Sequence, residues 1–563
     1  MKLAFDIEAN GLSEVIINKK GKPEKEGDTI FCICTQDVNT GEKKEFLPGE
    51  FDEALEYLNS ADLLIGHNII MYDIPMVERL VGPLKTKAYD TLIVSRLMYP
   101  DRQNHPLGNN SLEAWGKHLG SDKLEFHDFS ALTNEMVSYC HQDVSITVDI
   151  YNAQKSFTSK NMKSVKMEHK IAYIVSNQII NGFGFDLDAA EELERDLLME
   201  KVQIEDTLGQ IFPPIIEERW SDKTGKRLKD KITVFNPGSR KQIAERLGDK
   251  YNWVAPKTDK GNPKVDESVL KSLNFPEAKQ LCEYFYITKL LGQIEDWILR
   301  ANTSRDARVH GSVNTQGTVT GRMTASQPNL QQVSGDPRAR ALFVPREDWV
   351  QVGIDASGLE ARLLASRMAR WDDGEFGDTV LNDDIHSVNQ KKAGLPSRDA
   401  AKTFFYALIY GAGDMKIGKI IGSNAKQGKI IKHRYLEAMP ALKQLLANVE
   451  WQVANKGTIT LLDGREVPCR SGHKALNVQI QGDGAMIMKL AQILLERDLK
   501  PYYNQYNFMA TVHDEWQIEC DPIIADIVGK LGCNAIQRSG KILGCRVRMD
   551  GEYRIGKNWS ECH

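Results

Sequence analysis

The sequence predicts an α/β plus α+β chain, a small α/β domain followed by one larger composite domain. Three observations carry that expectation. Residues 2–7 (KLAFDI) and 30–35 (IFCICT) read as strands, helical periodicity runs from Phe51 to Leu58, and strands mixed with helices continue to about residue 150. From Ser164 to about Trp297 the pattern is mainly helical, in MEHKIAYIVSNQI, LDAAEELERDLLMEKVQIEDTL and LCEYFYITKLLGQIEDWIL. After residue 305, short strands (VQVGIDAS, FMATVHDEWQIEC) alternate with long helical stretches. Inside the helical middle, Asn236-Pro237-Gly238-Ser239 reads as a turn, with Ser239 placed to cap the next helix.

Bulk properties narrow the class. At 563 residues the chain can bury a sizeable core without staples. A composition of 41% hydrophobic and 26% charged residues excludes collagen-like and wholly disordered chains. No apolar stretch approaches the ~18 residues of a membrane span, so no membrane partner is expected. Asp6 and Glu8 stand where a signal peptide would keep its apolar region. Nine cysteines without a CxxC pair point to free thiols in a reducing compartment. A soluble intracellular protein is expected.

The net charge of −5 argues against a nucleic-acid partner, but its distribution does not. Lys416, Lys419, Lys426, Lys429, Lys432 and Arg434 lie in a stretch without acids. Lys223, Lys226, Arg227, Lys229 and Lys231 form a second cluster, relieved only by Asp230. Acids gather at Asp372, Asp373, Glu375, Asp378, Asp383 and Asp384. Such runs are commonly solvated faces.

The first cluster of chemistry-bearing residues is acidic. Asp6 and Glu8 are two apart at a strand end, so both leave the same face. Asp73 sits in HNIIMYDIP, where Pro75 is expected to end the local pattern. Tyr139 and Asp143 stand at i and i+4 of a helix in VSYCHQDVSIT. Hard oxygen ligands suit Mg²⁺ or Mn²⁺, and two such ions about 3.5–4 Å apart serve phosphodiester hydrolysis. DxE, then YD, then YxxxD in this order resembles the DEDD exonucleases. That resemblance implies that Asp6, Glu8, Asp73 and Asp143 are metal ligands and that Tyr139 orients the attacking water.

A second cluster lies in the last third. Asp355 ends the strand of WVQVGIDASGLEARLLA, with a turn through Ser357 and Gly358 into a helix, and Asp514 stands at a strand junction in VHDEWQIE. Two aspartates from separate strands could hold two Mg²⁺ for an in-line nucleotidyl displacement. Between them SRDAAKTFFYALIYGAG reads as a helix capped by Ser397 and stopped at Gly411. Arg398, Lys402, Tyr406 and Tyr410 recur every four residues and share one helix face. Two cations followed by two aromatics could meet a triphosphate, then a base and sugar.

These three segments resemble motifs A, B and C of the A family of DNA polymerases. The likeness extends through residues 309–335 (VHGSVNTQGTVTGRMTASQPNLQQVSG), 475–485 (ALNVQIQGDGA) and the closing KNWSECH, in the family's order. It is greatest to the branch used in replication by short-tailed bacteriophages. The resemblance implies an RNase H-like 3′-to-5′ exonuclease domain over 1–160 and a right-hand polymerase domain over 161–563. The thumb is expected near 165–300, the fingers near 372–460, and the palm in flanking segments. It implies Asp355, Asp514 and the Ala356 carbonyl as metal ligands. Arg398 and Lys402 would hold the triphosphate, with Lys402 protonating pyrophosphate, and His386 would add a phosphate contact. Tyr406 would pack on the nucleotide, Tyr410 would border the templating base, and Glu360 would close the space beside the sugar 2′ position. Arg322 and Gln481 would donate to minor-groove acceptors, and His513 and Glu515 would sit near the primer end.

Implied partners are primer-template DNA and deoxynucleoside triphosphates, with phage helicase-primase and single-strand-binding protein as further candidates in the cytoplasm of a bacterial host. One departure stands out: only 24 residues separate Gln210 from Phe235, too few for the family's thioredoxin-binding insertion, so no thioredoxin partner is expected. Two rivals stay open. A single-subunit RNA polymerase shares the hand, but Glu360 with Tyr406 beside the 2′ position and the filled exonuclease motif oppose it. A catalytically idle DNA-binding scaffold would have kept every acid for nothing.

Overall fold

The computed structural model describes residues 1–10, 29–121, 123–124 and 126–563. The first sheet has five strands in the order Lys43–Phe46, Thr29–Asp37, Lys2–Asn10, Leu63–Gly66, Ala88–Asp90. The first three run antiparallel and the last two join in parallel. Strand alternation sorts the side chains of Lys2–Asn10 between two faces. Leu3, Phe5 and Ile7 enter an apolar cluster with Ala54, Leu58 and Ile74. Ala4 enters another with Val144 and Val148 of helix Asn134–Lys160. Asp6 and Glu8 share the parity of Ala4, which turns them toward that helix.

Pro75 does not end the pattern as expected. It lies in the first turn of helix Asp73–Leu80, where its missing N–H has no intrahelical partner to lose. Helix Asn134–Lys160 is capped by the Thr133 hydroxyl, which accepts from Met136 N. Only Asn161 separates it from helix Met162–Asn181.

The second sheet is antiparallel throughout, in the order Tyr506–Val512, Glu515–Cys520, Val350–Ala356, Gly551–Gly556. FMATVHDEWQIEC is therefore a hairpin whose turn is His513-Asp514. Gly353 lies in the strand Val350–Ala356, where a Cβ would come within 2.2 Å of the Cys562 carbonyl, so only glycine lets the closing segment pack there. Helix Arg398–Ile409 is capped by the Ser397 hydroxyl, and Gly411 behind it takes φ +72°, as its sequence position predicts. The acidic run at 372–384 caps helices: Asp372 accepts from Gly374 N and Phe376 N, and Asp384 from His386 N.

The chain divides into two compact units, Met1–Gly184 with Thr303–Gln332 and Val344–His563, and Phe185–Asn302 with Val333–Phe343. This division falls elsewhere than residue 160. Helix Met162–Asn181, which the sequence reading gives largely to the thumb, buries Ile171, Ile174 and Val175 in the large core with Val352, Leu363 and Met486. Its apolar face thus makes it part of the first unit. The second unit contains the long helices Leu187–Ile211 and Pro276–Thr303 and helix Arg240–Tyr251, capped by Ser239 as expected. It also holds a hairpin, Ile215–Trp220 with Arg227–Thr233. There Arg227 pairs with Glu218 and Asp230, and Lys231 with Glu217, so the expected five-cation cluster is partly neutralised across the strands. Among the described residues no helix is long and apolar enough to cross a membrane. All nine cysteines are free thiols.

Candidate active sites

The first site opens where strand Lys2–Asn10 faces helix Asn134–Lys160. Asp73, at the start of its own helix, accepts from Ile7 N at 3.1 Å and is thereby fixed beside Asp6 and Glu8. Asp143 lies one helical turn beyond Tyr139, and both reach the same cluster. Burial raises all four carboxyls. Asp6 lies well above the ordinary range, first through burial and then through Asp73, Glu8 and Asp143. Glu8 is pushed up to about 8 and Asp73 to about 7, in each case chiefly by burial. Burial also raises Asp143, against the pull of Lys123.

Lys123 is a residue the sequence reading missed. Its Nζ lies 2.6 Å from Asp143 Oδ2 and 4.7 Å from the centre of the Tyr139 ring. It stands in an irregular stretch before the helix, where no periodicity ties it to the acids. Tyr139 is half-buried against Phe126 and Phe129. Among the described residues Asp143 Oδ1 is buried without a hydrogen-bond partner. A cluster of hard oxygen donors, partly neutralised by Lys123 and with one oxygen lacking a described partner, fits divalent Mg²⁺ or Mn²⁺.

The second site lies at one end of the antiparallel sheet. Asp355 stands opposite Glu515 on one neighbouring strand and Glu552 on the other. Ala356 N donates to the Asp514 carbonyl at 3.1 Å, which ties the hairpin turn to the strand carrying Asp355. Asp355 is pushed up to about 7, first by burial and then by Asp514, Glu515 and Glu552. Burial raises Asp514 as well, opposed by its own amide, Arg322 and His513. Asp514 thus raises Asp355, and two neighbouring carboxylates at one sheet end again fit a divalent cation. Glu552 had no motif to announce it.

Glu515 differs from expectation. Its carboxylate is buried and accepts from Trp559 Nε1 at 2.8 Å, pairs with His563 Nδ1 at 2.9 Å, and accepts from Gln517 Nε2. The chain's own closing segment satisfies it, a set of contacts the sequence reading did not anticipate. His513 is exposed at the turn with φ +57°.

Helix Arg398–Ile409 presents the predicted stripe. Lys402 is exposed and the Tyr406 ring centre lies 6.1 Å from His386 and 6.5 Å from Tyr410. Glu360, in the first turn of helix Leu359–Asp372, accepts from the Tyr410 hydroxyl at 3.0 and 2.9 Å, with Arg322 Nη2 at 3.4 Å. The sequence reading places Glu360 and Tyr406 together beside the sugar 2′ position, and the structure adds the Glu360–Tyr410 hydrogen bond. Arg398 is held by a bidentate pair with Asp384 at 2.6 and 2.9 Å, a contact the sequence reading missed. His386 is half-buried and lowered, first by burial and then by Arg398. Gln481 is part-exposed on helix Ala475–Asp498.

Residues 217–561 match the model of DNA polymerase family A. The chain is 31% identical to the DNA-directed DNA polymerase of Enterobacteria phage T3, and equally to that of Escherichia phage T7, over the whole of each chain. Those alignments run over 717 positions, so the phage relatives carry residues this chain lacks. DNA polymerase I of Aquifex aeolicus is 24% identical over 98% of both chains. Among solved structures, the polymerase domain of Pol1 from M. smegmatis, in complex with DNA primer-template and dNTP, superposes with a TM-score of 0.82, covering 100% of this chain and 96% of that one at 17% identity.

Proposed function

The chain belongs to DNA polymerase family A as a DNA-directed DNA polymerase, and from that premise we propose that it extends primers with deoxynucleoside triphosphates and trims mispaired 3′ ends at a separate site. The observation that carries the reading is the meeting of Asp355 with Asp514 beside a helix face bearing Arg398, Lys402, Tyr406 and Tyr410. Divalent cations bound to these aspartates and the Ala356 carbonyl would activate the attacking oxygen and stabilise the leaving one.

The chain's own groups do the rest. Arg398, released from Asp384, and Lys402 bind the triphosphate, with His386 adding a contact, and Lys402 Nζ gives a proton to the departing pyrophosphate. Tyr406 stacks on the incoming base, and Tyr410 borders the templating base while its hydroxyl holds Glu360 in place. Glu360 then excludes a 2′-hydroxyl. Arg322 and Gln481 donate to minor-groove acceptors, where A N3 and T O2 look alike, so they test pair shape and ignore sequence. His513 lies by the primer end.

We assign residues 1–160 to 3′-to-5′ proofreading. Asp6, Glu8, Asp73 and Asp143 would bind Mg²⁺, and Tyr139, steadied by Phe126, Phe129 and Lys123, orients water. The five-stranded sheet order and the raised carboxyls support this assignment. Replication in the cytoplasm of a phage-infected bacterium, with helicase-primase and single-strand-binding partners but without thioredoxin, completes the reading. A primer-extension assay with deoxy- or ribonucleotides tests it. Extension with deoxynucleotides alone is expected. Preference for ribonucleotides favours an RNA polymerase, and no extension leaves a DNA-binding scaffold.

A further inference from the structure

Behind the first acidic site lies a group of thiols that the proposed reactions do not use. Cys32 and Cys34 occupy alternate positions of strand Thr29–Asp37 and so share a face, in register with Glu8 and Asp6. Cys140 follows Tyr139 on helix Asn134–Lys160 and closes over them. All three are buried, and their sulfurs lie within 4.8 Å of one another. The Cys140 sulfur also belongs to a second group, within 4.8 Å of an oxygen of Asp6 and one of Glu8. It lies 3.8 Å from Asp6 Oδ2.

We propose that Cys32, Cys34 and Cys140 form a binding site for one thiophilic divalent cation such as Zn²⁺, with Asp6 supplying the fourth, oxygen ligand. Zinc–thiolate bonds of about 2.3 Å in a tetrahedron place sulfurs about 3.8 Å apart, so the three sulfurs need to draw in by no more than about 1 Å, with Asp6 turning to them from beside Cys140. Three thiolates select a soft cation and leave Mg²⁺ to the all-oxygen side. Zinc takes a cysteine as its thiolate, so each ligating thiol gives up its proton. Binding replaces those protons and releases them to solvent. Asp6 is part-exposed and gives the buried sulfurs an edge toward solvent. Because Asp6 would be shared, occupancy also draws it from the oxygen site, and this consequence rests on the exonuclease assignment. Three buried thiols acting as small apolar side chains is the competing account.

The test uses the full-length protein, reduced, stripped of metal and kept under excess Mg²⁺. One equivalent of Co²⁺ is expected to produce a thiolate-to-metal charge-transfer band that Zn²⁺ erases. Cys32→Ser and Cys34→Ser should lose the band while retaining primer extension, which reports folding. X-ray absorption of the zinc-loaded wild-type protein needs no variant and should give three sulfur neighbours and one oxygen. An all-oxygen or nitrogen shell, or a band unchanged in both variants, overturns the site. Zinc-loaded wild-type protein should trim 3′ ends slower than Cys34→Ser at the same zinc concentration. Sulfur ligation with undiminished trimming overturns only the sharing of Asp6.

Discussion

Replacing Glu168 with glutamine should destabilise both active sites together. Glu168 is fully buried on helix Met162–Asn181, and its oxygens lie 2.9 and 2.7 Å from Lys489 Nζ and 2.8 Å from Arg465 Nη1. The Lys489 side chain is 2% exposed and that of Arg465 8%. Burial pulls Lys489 below its ordinary value, and Glu168 opposes that pull. Arg465 keeps Asp463, 2.7 Å from its Nε, so the charge left stranded is chiefly Lys489. Breaking a buried pair costs about 3–5 kcal/mol, and with one cation still partnered the lower end applies, about 3 kcal/mol. That is roughly two decades in the folding equilibrium. Glutamine preserves volume, so no cavity term enters. Glu168→Gln with Lys489→Met removes both charges and should recover most of the loss, giving a coupling energy of about 2 kcal/mol. Urea midpoints would be followed by tryptophan fluorescence, by 3′-end trimming and by primer extension. All three are expected to fall together, because the helix packs between the two sheets. A loss below about 1 kcal/mol, or a double variant no better than the single one, refutes the reasoning.

The two sites use different acids, so Asp6→Ala with Glu8→Ala should abolish 3′-end trimming and leave primer extension near normal; collapse of extension in a folded protein counts against separate sites. The family resemblance implies that the Tyr406 hydroxyl stands in for a missing 3′-hydroxyl, so Tyr406→Phe should raise discrimination against dideoxynucleotides, read from terminator incorporation, by orders of magnitude. In the hairpin, neutralising Lys223, Lys226 and Lys229, which make no ion pair among those described, should shorten products on a long primed strand. It should also flatten the salt slope of DNA binding by about 0.9 for each phosphate left without its cation, and Arg227 and Lys231 should matter less. Added thioredoxin should leave product length unchanged, and a many-fold lengthening contradicts the expectation drawn from the short segment between Gln210 and Phe235.

What the sequence determines here is local or is carried by ordered motifs. Period-two and period-3.6 patterns mark the strand Lys2–Asn10 and the helices Asn134–Lys160 and Arg398–Ile409, because side-chain direction follows backbone repeat. Ser239 and Ser397 read correctly as caps for the same reason: their hydroxyls reach only the next turn. The order of the acidic motifs names the candidate residues of both proposed sites. Tertiary structure alone decided what those residues meet. Lys123 reaches Asp143, Asp384 takes Arg398, Tyr410 takes Glu360, and the C-terminal His563 and Trp559 claim Glu515. Glu168 finds Lys489 321 positions away, and Cys140 finds Asp6 across 134. Helix Met162–Asn181 joins the first unit for the same cause. Its periodicity announces an apolar face but not the surface that buries it, since that surface is assembled from segments whose proximity exists only after the chain has folded.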